Sequence, residues 1–426
     1  MEKSLADWLR DIERLHPAEI ELGLERIQRV YASLPQLSQP SHHPTVISVA
    51  GTNGKGSTVR ALEAMGLCLG KRIGSYTSPH LLAYNERVQI NQQPVADELL
   101  VQAFNQVEQA RADIPLTYFE FGTLAALVIF AEAALDWVLL EVGLGGRLDA
   151  VNIVDADVAV VTSVDFDHEA WLGNTREAIG REKAGIIRDN GLFICGDPQP
   201  PTSLTAKASE AKQTFWYGEQ FGVREGHRLY WQQNGRTQSV ALQELASLQQ
   251  GDMDLPILAG NLAIAVQTIA ALEQPVNADL LDQALPIMTL PGRQQMLTKW
   301  PFIMVDVGHN PQAAASLAQT LQRLKECYQI RACYCLLAML QDKNHSNTIA
   351  ELLPYIDGWW VTEVNAGTRT CAADNLAELL WAAGAVVKGR CATPQSGFSK
   401  IKQQLHEDEL LVIFGSFYTV ADILRT

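Results

Sequence analysis

The segment ISVAGTNGKGST, residues 47–58, begins as an aliphatic run and continues through three glycines and a lysine to a Ser-Thr pair. A strand, a glycine-rich loop and a helix in this order let backbone N–H groups and a helix N-terminus surround a phosphate. Lys55 would add a positive charge at the phosphate oxygens, and Ser57 or Thr58 a hydroxyl ligand for Mg²⁺. The segment therefore predicts a phosphate-binding loop that follows a buried strand.

The spacing of this loop departs from the common GxxxxGK[ST] pattern. Gly51 and Gly54 are three residues apart, and Gly56 separates Lys55 from Ser57. On this segment alone, an ordinary glycine turn after a buried strand is the alternative. Motifs elsewhere in the chain have to decide between the two interpretations.

The composition is that of a globular protein with two domains. The chain has 426 residues, of which 47% are hydrophobic and 19% charged, and no low-complexity tract. The net charge of −15 argues against nucleic acid and anionic membrane surfaces as partners, although a local basic pocket for a small acidic molecule is compatible with it. Small-molecule substrates are therefore expected, and a monomer is the expected oligomeric state.

The cysteines and the N-terminal segment indicate the cytoplasm. The N-terminal sequence MEKSLADWLRDIERLH is charged throughout, so it predicts neither a secretory signal nor a membrane span. The most apolar stretch, residues 124–140, contains Glu132 and Asp136 and is interpreted as a core helix that leads into a buried strand. The cysteines are odd in number and lack paired CxxC spacing, which favours buried thiols in a reducing compartment; they are residues 68, 195, 327, 333, 335, 371 and 391.

The first part of the chain alternates strands and helices. Aliphatic runs at 46–50, 138–142 and 158–163 have helical stretches between them, which predicts an α/β fold with a P-loop-type, mostly parallel sheet covered on both faces. From about 200 to 255 the sequence is irregular and Gln-rich, and alternating segments such as HRLYWQ, beginning at His227, predict a small antiparallel addition. Ligands of open parallel sheets bind at the carboxyl ends of the strands.

A second alternation follows the turn LPGR, residues 290–293. It predicts a second, smaller, Rossmann-like α/β domain, with domain bounds at 1–290 and 291–426. The expected strands are FIMVDV (302–307), CYCLLAM (333–339), WWVTEV (359–364) and ELLVIFG (409–415), with helices near 311–325, 346–353 and 373–383.

Six further motifs carry a family resemblance. In order and spacing they are similar to the folylpolyglutamate synthase family of Mur-type ATP-dependent amide ligases, whose phosphate loop has the GTNGK form, and they most resemble its bifunctional dihydrofolate synthase/folylpolyglutamate synthases. The motifs are TSPHL (77–81), LEVGLGGRLDAVN (140–152), DFDHEAWLG (165–173), GREKAGI (180–186), LPGR (290–293) and VDVGHNP (305–311).

The resemblance implies a reaction. ATP would activate a substrate carboxylate as an acyl phosphate, which the amine of L-glutamate then attacks. Dihydropteroate would give dihydrofolate, and reduced folates would give folylpolyglutamates. Residues 1–290 would bind ATP and the pterin, and residues 291–426 would form the glutamate-ligase domain.

The same resemblance implies Mg²⁺, in two ions with K⁺ as a further cation. Activation by ATP brings two anions together, so cations are needed to offset their repulsion. Taken alone, Glu141 is equally well a paired strand-end acid, and His168 a hydrogen-bonded loop histidine, while Asp165 or Asp167 would alter the metal preference. The ligands that the resemblance implies are Ser57, Ser78, Glu141, His168 and Lys183.

Lys183 has two interpretations. On its own it is a solvated or ion-paired helix lysine. The resemblance implies that CO₂ carbamylates it, which turns a cation into a long-armed carboxylate able to hold the second Mg²⁺. That chemistry needs a neutral amine and hence a site that disfavours the ammonium form. Lys55, Lys183 and His309 are the catalytic residues that the resemblance implies.

The resemblance also assigns nucleotide contacts outside the loop. Asn261 would contact the adenine end, Arg293 would neutralise phosphate charge, Asp306 would orient the ribose or Arg293, and His309 would help to place the amino acid. A turn arginine and a strand-end acid are the alternatives for Arg293 and Asp306. The full ATP-binding set is Gly51, Thr52, Asn53, Gly54, Lys55, Gly56, Ser57, Asn261, Arg293 and Asp306.

The resemblance implies that three stretches line the dihydropteroate pocket of a bifunctional enzyme, namely residues 21–27, 117–120 and 147–150. Tyr118 and Phe119 offer flat faces for a pteridine ring, and Glu120 and Asp149 can accept hydrogen bonds from its N–H groups. Phe119 fits a core position equally well, and the stretch that begins at Glu21 fits the start of an amphipathic helix. The pocket residues are Leu22, Gly23, Leu24, Thr117, Tyr118, Phe119, Glu120, Leu148, Asp149 and Ala150.

Other functions remain as alternatives. A folylpolyglutamate synthase without the synthase half, or another Mur-type ligase, would share the chemistry, but cell-wall ligases carry a nucleotide-sugar domain before the loop and only 50 residues precede Gly51 here. A P-loop switch or phosphotransferase would turn over ATP without glutamate. A non-catalytic nucleotide-binding module leaves Glu141, His168 and Lys183 unexplained.

Overall fold

The aliphatic run before the glycine loop forms the central strand of the larger sheet. This strand, β1 (Thr45–Ala50), is parallel to both of its neighbours, β5 (Trp137–Glu141) and β6 (Val158–Val161), and pairs with β5 over residues 45–49 and with β6 over residues 47–50. Its alternate residues pack into two different cores, Val46 and Ala50 on one face and Ile47 and Val49 on the other. Burial on both faces explains why aliphatic residues predominate in the strand.

A computed structural model describes residues 3–16, 18, 20–224, 227–245 and 258–425. The chain divides into two compact units, Met1–Thr289 and Leu290–Thr426. Each unit has its own sheet and its own hydrophobic core.

The main sheet of the first unit has eight strands and is mostly parallel. Only β3 runs antiparallel to its neighbours, which are β2 and β4. This arrangement confirms the predicted P-loop-type α/β fold. From edge to edge the order is β4 (Gln93–Pro94), β3 (Val88–Ile90), β2 (Ile73–Tyr76), β5, β1, β6, β7 (Leu192–Cys195) and β8 (Gln213–Trp216).

Helices cover both faces of this sheet. The 15-residue helix Tyr118–Glu132 is the most apolar and is followed by β5, as predicted for residues 124–140. Within the described residues, no helix combines the length and apolar character needed to cross a membrane. The helices are α1 (Leu5–Glu13), α2 (Glu25–Ala32), α3 (Pro35–Ser38), α4 (Lys55–Cys68), α5 (Asp97–Arg111), α6 (Tyr118–Glu132), α7 (Glu169–Leu172), α8 (Arg176–Ala184), α9 (Thr202–Ala208), α10 (Ala259–Ala271) and α11 (Ala278–Ala284).

A small antiparallel sheet confirms the predicted addition. Its strands are β9 (Gly222–Arg224), β10 (Arg228–Gln233) and β11 (Arg236–Ala241), with β10 in the middle. The buried Gln267 of α10 fastens it by accepting from the backbone N–H of Gln232 at 2.9 Å and donating to its carbonyl at 3.0 Å. The rest of the predicted Gln-rich stretch, 246–257, lies outside the described residues.

The second unit is a smaller Rossmann-like domain with a six-stranded sheet. All four predicted strands are present. The edge strands β12 and β16, whose sequences are short and half polar, and the last two helices were not predicted. In spatial order the strands are β12 (Gln295–Lys299), β13 (Phe302–Asp306), β17 (Glu409–Phe414), β14 (Ala332–Leu337), β15 (Gly358–Val361) and β16 (Val387–Arg390), with only β12 antiparallel. The helices are α12 (Pro311–Tyr328), α13 (His345–Leu352), α14 (Ala373–Ala382), α15 (Pro394–Lys402) and α16 (Phe417–Leu424).

Candidate active site

The glycine loop joins β1 to the N-terminus of α4 with two residues that have to be glycine. Gly51 has φ 154°, and a Cβ there would lie 3.2 Å from the backbone nitrogen of Ser163 and still closer to the side chain of Thr162. Gly54 has φ 86°, and a Cβ there would lie 3.1 Å from Cγ of Asn261. A side chain is therefore disfavoured at both positions by the backbone conformation and by lack of space. The predicted nucleotide residue Asn261 lies directly beside the loop.

Hydrogen bonds fasten the loop to the carboxyl end of β6. The backbone N–H groups of Thr52 and Asn53 donate to the carbonyl and hydroxyl oxygens of Ser163 at 2.9 and 3.1 Å. The Thr162 hydroxyl donates to the carbonyl of Asn53 at 2.6 Å. The loop is therefore held in one shape before any phosphate arrives. Lys55 extends over it, and its Nζ donates to the carbonyl of Gly51 at 3.0 Å.

The helical phase of α4 distinguishes the two candidate hydroxyls. Thr58 is completely buried, and no described residue bonds its hydroxyl. Ser57 lies one position earlier, directly after Gly56, and keeps 9% of its surface exposed. Of the two residues, Ser57 is therefore the one that keeps some exposed surface.

Glu141 and Ser78 are brought together at the ends of two neighbouring strands. Glu141 is the last residue of β5 and is only 4% exposed. Its Oε2 accepts a hydrogen bond from the backbone N–H of Ser78 at 3.2 Å, just beyond β2. The Glu141 carboxylate therefore lies against the backbone of Ser78 at the carboxyl edge of the sheet.

His168 lies on the loop that follows β6. It adopts the left-handed conformation, with φ 52° and ψ 37°, and caps the short helix α7. The Asp167 carboxylate accepts its backbone N–H at 2.9 Å. Residues that are not glycine seldom adopt this conformation and keep it only where the surroundings impose it.

Lys183 is a buried amine near the end of α8, with 3% of its surface exposed. Burial lowers its pKa to about 7, and the positive charge of Lys55 acts in the same direction, whereas the carboxylate of Asp167 acts against it. The neutral amine that a reaction with CO₂ needs is therefore well populated at neutral pH. Because the charge of Lys55 acts on the amine of Lys183, the phosphate loop and α8 are electrostatically coupled.

Asp149 is a second buried group near Lys55. Burial raises the pKa of its carboxyl to about 7, while backbone N–H donors and the charge of Lys55 lower it. Its oxygens accept from the N–H groups of Leu144 at 2.8 Å and Val151 at 3.1 Å. The carboxyl that was predicted to bind the pterin therefore also fixes the 144–151 turn.

The donor set of the first unit suits a hard cation that keeps phosphate and water ligands. No cluster of three or more His, Cys, Asp or Glu side chains able to hold a metal occurs among the residues that the structure describes. The predicted set does not require such a cluster, because it combines one acidic side chain, Glu141, with two serine hydroxyls, one histidine and a modified lysine.

The three predicted pterin stretches meet within the first unit. Arg26 of α2 donates through Nε to Oε2 of Glu120 at 2.8 Å, which joins the first stretch to the second. Leu22, Gly23 and Leu24 lie before α2, which begins at Glu25. Phe119 packs over Gly143, where a Cβ would lie 2.8 Å from its ring, and so reaches the loop that leads to Leu148, Asp149 and Ala150.

The two carboxylate oxygens of Glu120 differ in their hydrogen bonds to the described residues. Oε2 accepts from the N–H of Thr117 at 2.8 Å and from its hydroxyl at 2.9 Å, so Glu120 and Thr117 form the capping box of α6. Oε1 is buried and has no hydrogen-bond partner among the described residues. A buried carboxylate oxygen without a partner is costly, which favours a ligand donor at this position.

Sequence reasoning missed an arginine beside the pterin stretches. The guanidinium of Arg87 lies 5.5 Å from the ring centroids of both Tyr84 and Tyr118, and its Nε donates to Nδ1 of His80 at 2.9 Å. Because guanidinium nitrogen only donates, Nδ1 of His80 is unprotonated. The only feature of the sequence that could have indicated this role is that Arg87 lies six residues after the TSPHL motif.

The second unit assembles its own predicted residues. Asp306 ends β13 and is buried, which raises the pKa of its carboxyl to about 6, although the charge of Arg293 and backbone donors act in the opposite direction. One of its oxygens accepts from the N–H of Gly308 at 2.5 Å. His309 donates from Nδ1 to the carbonyl of Val307 at 3.0 Å, which fixes the orientation of its ring.

Phe417 contacts two of these residues and was also missed. The Arg293 guanidinium lies 5.0 Å from its ring centroid, and the His309 ring lies 6.5 Å from it. Phe417 begins α16, directly after β17 and the capping Ser416. An aromatic residue after an aliphatic strand is more often a core residue, so the sequence offered no signal for this role.

Comparisons with known proteins identify the family of this chain. The family model of the Mur ligase, glutamate ligase domain, matches residues 292–417. A relative from Escherichia coli (strain K12), named dihydrofolate synthase/folylpolyglutamate synthase, is 39% identical and covers 99% of this chain and 95% of its own. The fold and the site thus define a Mur-type glutamate ligase. The chain belongs to the dihydrofolate synthase/folylpolyglutamate synthase family.

Two solved structures have the same fold. E. coli FolC in complex with DHPP and ADP has a TM-score of 0.87 and 36% identity and covers 99% of this chain and 97% of its own. The bifunctional folylpolyglutamate synthase/dihydrofolate synthase from Yersinia pestis, complexed with AMPPNP and Mn ion, has a TM-score of 0.88 and 38% identity and covers 99% and 98% of the two chains.

Proposed function

We propose that this enzyme uses ATP to add L-glutamate to dihydropteroate, giving dihydrofolate, and to reduced folates, giving folylpolyglutamates. The observation that carries this proposal is the buried, readily neutral Lys183 beside the phosphate-loop Lys55. A plain nucleotide switch has no use for a lysine whose ammonium form is disfavoured. The relatives that were crystallised with ADP and DHPP, or with AMPPNP and Mn, support the same substrates and a divalent metal.

The first step forms an acyl phosphate. A carboxylate oxygen of the folate substrate attacks the γ-phosphorus of ATP in line, the bond to the bridging oxygen breaks, and ADP leaves. Lys55 and the backbone N–H groups of the first turn of α4 bind the phosphates and stabilise the charge that moves onto the leaving oxygen. The reaction needs no covalent enzyme intermediate, so positioning and electrostatics supply most of the acceleration.

The metal ligands that we propose are Ser57, Ser78, Glu141, His168 and carbamylated Lys183, for two Mg²⁺ ions with K⁺ as a further cation. Bound Mg²⁺ supplies positive charge that lets two anions approach each other. Carbamylation begins when the neutral Nζ of Lys183 attacks CO₂. An N–C bond forms, one C=O electron pair moves onto oxygen, and the amine loses a proton to solvent. The product is an anionic ligand where a buried cation would otherwise oppose metal binding.

The second step forms the amide. The neutral amine of L-glutamate attacks the acyl carbon, the tetrahedral intermediate expels phosphate, and a proton leaves the nitrogen. We assign to His309 the acceptance of a hydrogen bond from this amine through Nε2, the ring nitrogen opposite the one that donates to Val307. Arg293 neutralises phosphate charge, and Asp306 orients Arg293 or the ribose. Asn261 contacts the nucleotide.

The pterin site that we propose consists of the three stretches that Arg26 and Phe119 join. Tyr118 and Phe119 stack on the ring. Oε1 of Glu120 and the carboxyl of Asp149 accept its N–H groups, and Leu22, Gly23, Leu24, Thr117, Leu148 and Ala150 complete the lining. Residues 1–290 then form the ATP- and pterin-binding domain, and residues 291–426 the glutamate-ligase domain.

We further propose a cytoplasmic monomer. All seven cysteines are free thiols, which suits a reducing compartment. Light scattering of the purified protein at several concentrations tests the monomer, since a mass that doubles with concentration would contradict it.

A substrate-omission assay tests the function. Purified protein, Mg-ATP and L-glutamate receive dihydropteroate or tetrahydrofolate in turn, and phosphate release and product mass are followed. Phosphate release that requires both organic substrates supports the ligase. Release with tetrahydrofolate but never with dihydropteroate removes the synthase half, and release without glutamate indicates a phosphotransferase or switch.

A further inference from the structure

The ion pair between Arg176 and Asp197 hydrogen-bonds both the backbone N–H and the carbonyl of Val164. The buried carboxylate of Asp197 accepts the N–H of Val164 at 2.7 Å, and Nε of Arg176 donates to the carbonyl of Val164 at 2.9 Å. Arg176 also donates through Nη2 to both oxygens of Asp197, at 3.0 and 3.1 Å. Val164 lies at the base of the loop that carries Asp165, Asp167 and His168, so the ion pair fixes where this loop begins.

The next residue of the loop is bound from the other side. The hydroxyl of Thr52 donates to the carbonyl of Asp165 at 2.9 Å and accepts its N–H at 2.9 Å. Two consecutive residues are therefore fastened, Val164 to the ion pair and Asp165 to the phosphate loop. Anchoring at these two residues helps to hold His168, three residues after Asp165, in its left-handed backbone conformation.

The ion pair also belongs to the helix that carries Lys183. Arg176 is the first residue of α8, and Lys183 follows seven residues later, about two helical turns along the same helix. The first turn of α8 is anchored in turn, because the carboxylate of Glu177 accepts the backbone N–H groups of Thr202 and Ser203 at 2.8 and 2.7 Å. A shift of Arg176 would therefore change the distance between the His168 loop and the Lys183 helix.

Asp197 is well satisfied for a buried acid. It accepts the N–H of Gln199 at 2.8 Å, in addition to Val164 and Arg176, and the guanidinium bonds the carbonyl of Gln199 at 3.0 Å. A buried carboxylate with a cation and two backbone donors defines one geometry, and removal of the cation would leave an uncompensated buried charge.

From these contacts we infer that Arg176 and Asp197 are positioning residues for the metal site. They hold the His168 loop and the Lys183 helix at the separation at which both side chains reach the same cations. This inference rests on the metal ligands given under the proposed function. Groups that orient metal ligands without touching the metal typically change metal affinity by about 10- to 100-fold when they are removed.

The test compares Arg176→Ala with a matched arginine variant. Arg331→Ala in the second unit also removes a guanidinium from a buried carboxylate, because Arg331 donates through Nη2 to Glu409 at 2.7 Å, and neither residue belongs to the proposed site. Mn²⁺ binding in the presence of AMPPNP is measured by electron paramagnetic resonance, and AMPPNP binding without metal by calorimetry. Thermal unfolding of each variant reports folding.

We expect Arg176→Ala to weaken Mn²⁺ binding at least tenfold and to change AMPPNP binding without metal by less than twofold. Arg331→Ala should leave both within twofold of wild type. Equal Mn²⁺ affinity in Arg176→Ala and wild type overturns the inference, as does an equal loss in both variants. Wild-type protein that binds no Mn²⁺ with AMPPNP would instead refute the proposed metal site.

A second variant, Arg176→Lys, tests the inference if Arg176→Ala does not fold. Arg176→Lys keeps a positive charge beside Asp197 but cannot donate to Val164 and Asp197 through one planar fork. If Arg176→Ala does not fold, Arg176→Lys should still weaken Mn²⁺ binding by more than threefold. Mn²⁺ affinity within twofold of wild type in Arg176→Lys would overturn the inference.

Discussion

Alanine substitution of Gly54 tests the role of the phosphate loop, and alanine substitution of Gly70 is the matched control. Gly54 caps the N-terminus of α4 with φ 86°, and Gly70 follows the C-terminus of the same helix with φ 75°. An alanine at either position has to adopt the left-handed conformation. Only at Gly54 does the new methyl group meet another residue, because nothing lies within 4 Å of a Cβ at Gly70.

The two substitutions should cost similar stability and differ in function. The left-handed conformation costs an alanine about 1–2 kcal/mol, and the smaller entropy of the unfolded chain returns about 0.4–1 kcal/mol, so each variant should lose roughly 1 kcal/mol. A loss of this size lowers Tm by about 2 °C in a domain this large. At Gly54 the side chain of Asn261 must also move, since its Cγ would lie 3.1 Å from the methyl carbon and ordinary contact begins at 3.4 Å.

Nucleotide use separates the two variants. Oδ1 of Asn261 would lie closer still to the methyl carbon than Cγ, so this oxygen has to move by about 1 Å. Misplacement of a positioning group by about 1 Å can cost about 100-fold in rate, which predicts a loss of about 100-fold in kcat/KM for ATP in Gly54→Ala. Gly70→Ala should keep the wild-type value. The assay is glutamate-dependent phosphate release at varied ATP, with calorimetric unfolding of both variants. Equal kcat/KM in Gly54→Ala and Gly70→Ala, at equal Tm loss, would refute the role given to Gly54 and Asn261.

Three further outcomes are expected. Lys183→Ala should abolish phosphate release, and short-chain carboxylates should restore part of it; full activity in the variant contradicts the role of Lys183. With a pKa of about 7, the amine of Lys183 should become mostly neutral between pH 6 and 8, so its labelling by ¹³C-bicarbonate should rise across that window, whereas labelling that begins only near pH 10 would rule out the buried environment. Burial raises the pKa of Asp149 to about 7, so between pH 3.8 and 7 the folded protein keeps a proton on this carboxyl that the unfolded chain has lost, and the free energy of unfolding should fall as the pH rises through this range. Urea unfolding of Asp149→Asn should show a smaller fall, and a pH dependence equal to that of wild type would contradict the shift.

Much of the first unit could be predicted, because its central strands are buried on both faces. The runs before Gly51 and at Glu141 contain no polar alternation, which is the pattern of parallel strands between two layers of helices. Once these strands are adjacent, their carboxyl ends have to meet. The closeness of Lys55 to Lys183, by contrast, depends on how α8 returns to the sheet, and no local pattern in the sequence encodes that path.

Single contacts between distant residues were beyond sequence reasoning. The pairing of Arg176 with Asp197 joins residues 21 apart that look like ordinary surface charges. Phe417 resembled a core aromatic, and the choice between Ser57 and Thr58 required the helical phase of α4. The edge strands β12 and β16 lacked an aliphatic run because one side of each faces no neighbour, so the usual strand signal was absent.

The order β5, β1, β6 has a practical consequence for engineering. Adjacent strands are about 4.8 Å apart, so the loops after Glu141, Ala50 and Val161 leave the sheet within roughly 10 Å of one another. The opposite ends of these strands lie about 15 Å away along strands of this length. New termini, affinity tags or fluorescent labels placed at that remote edge, near Asp136 or Asp157, should therefore leave turnover intact.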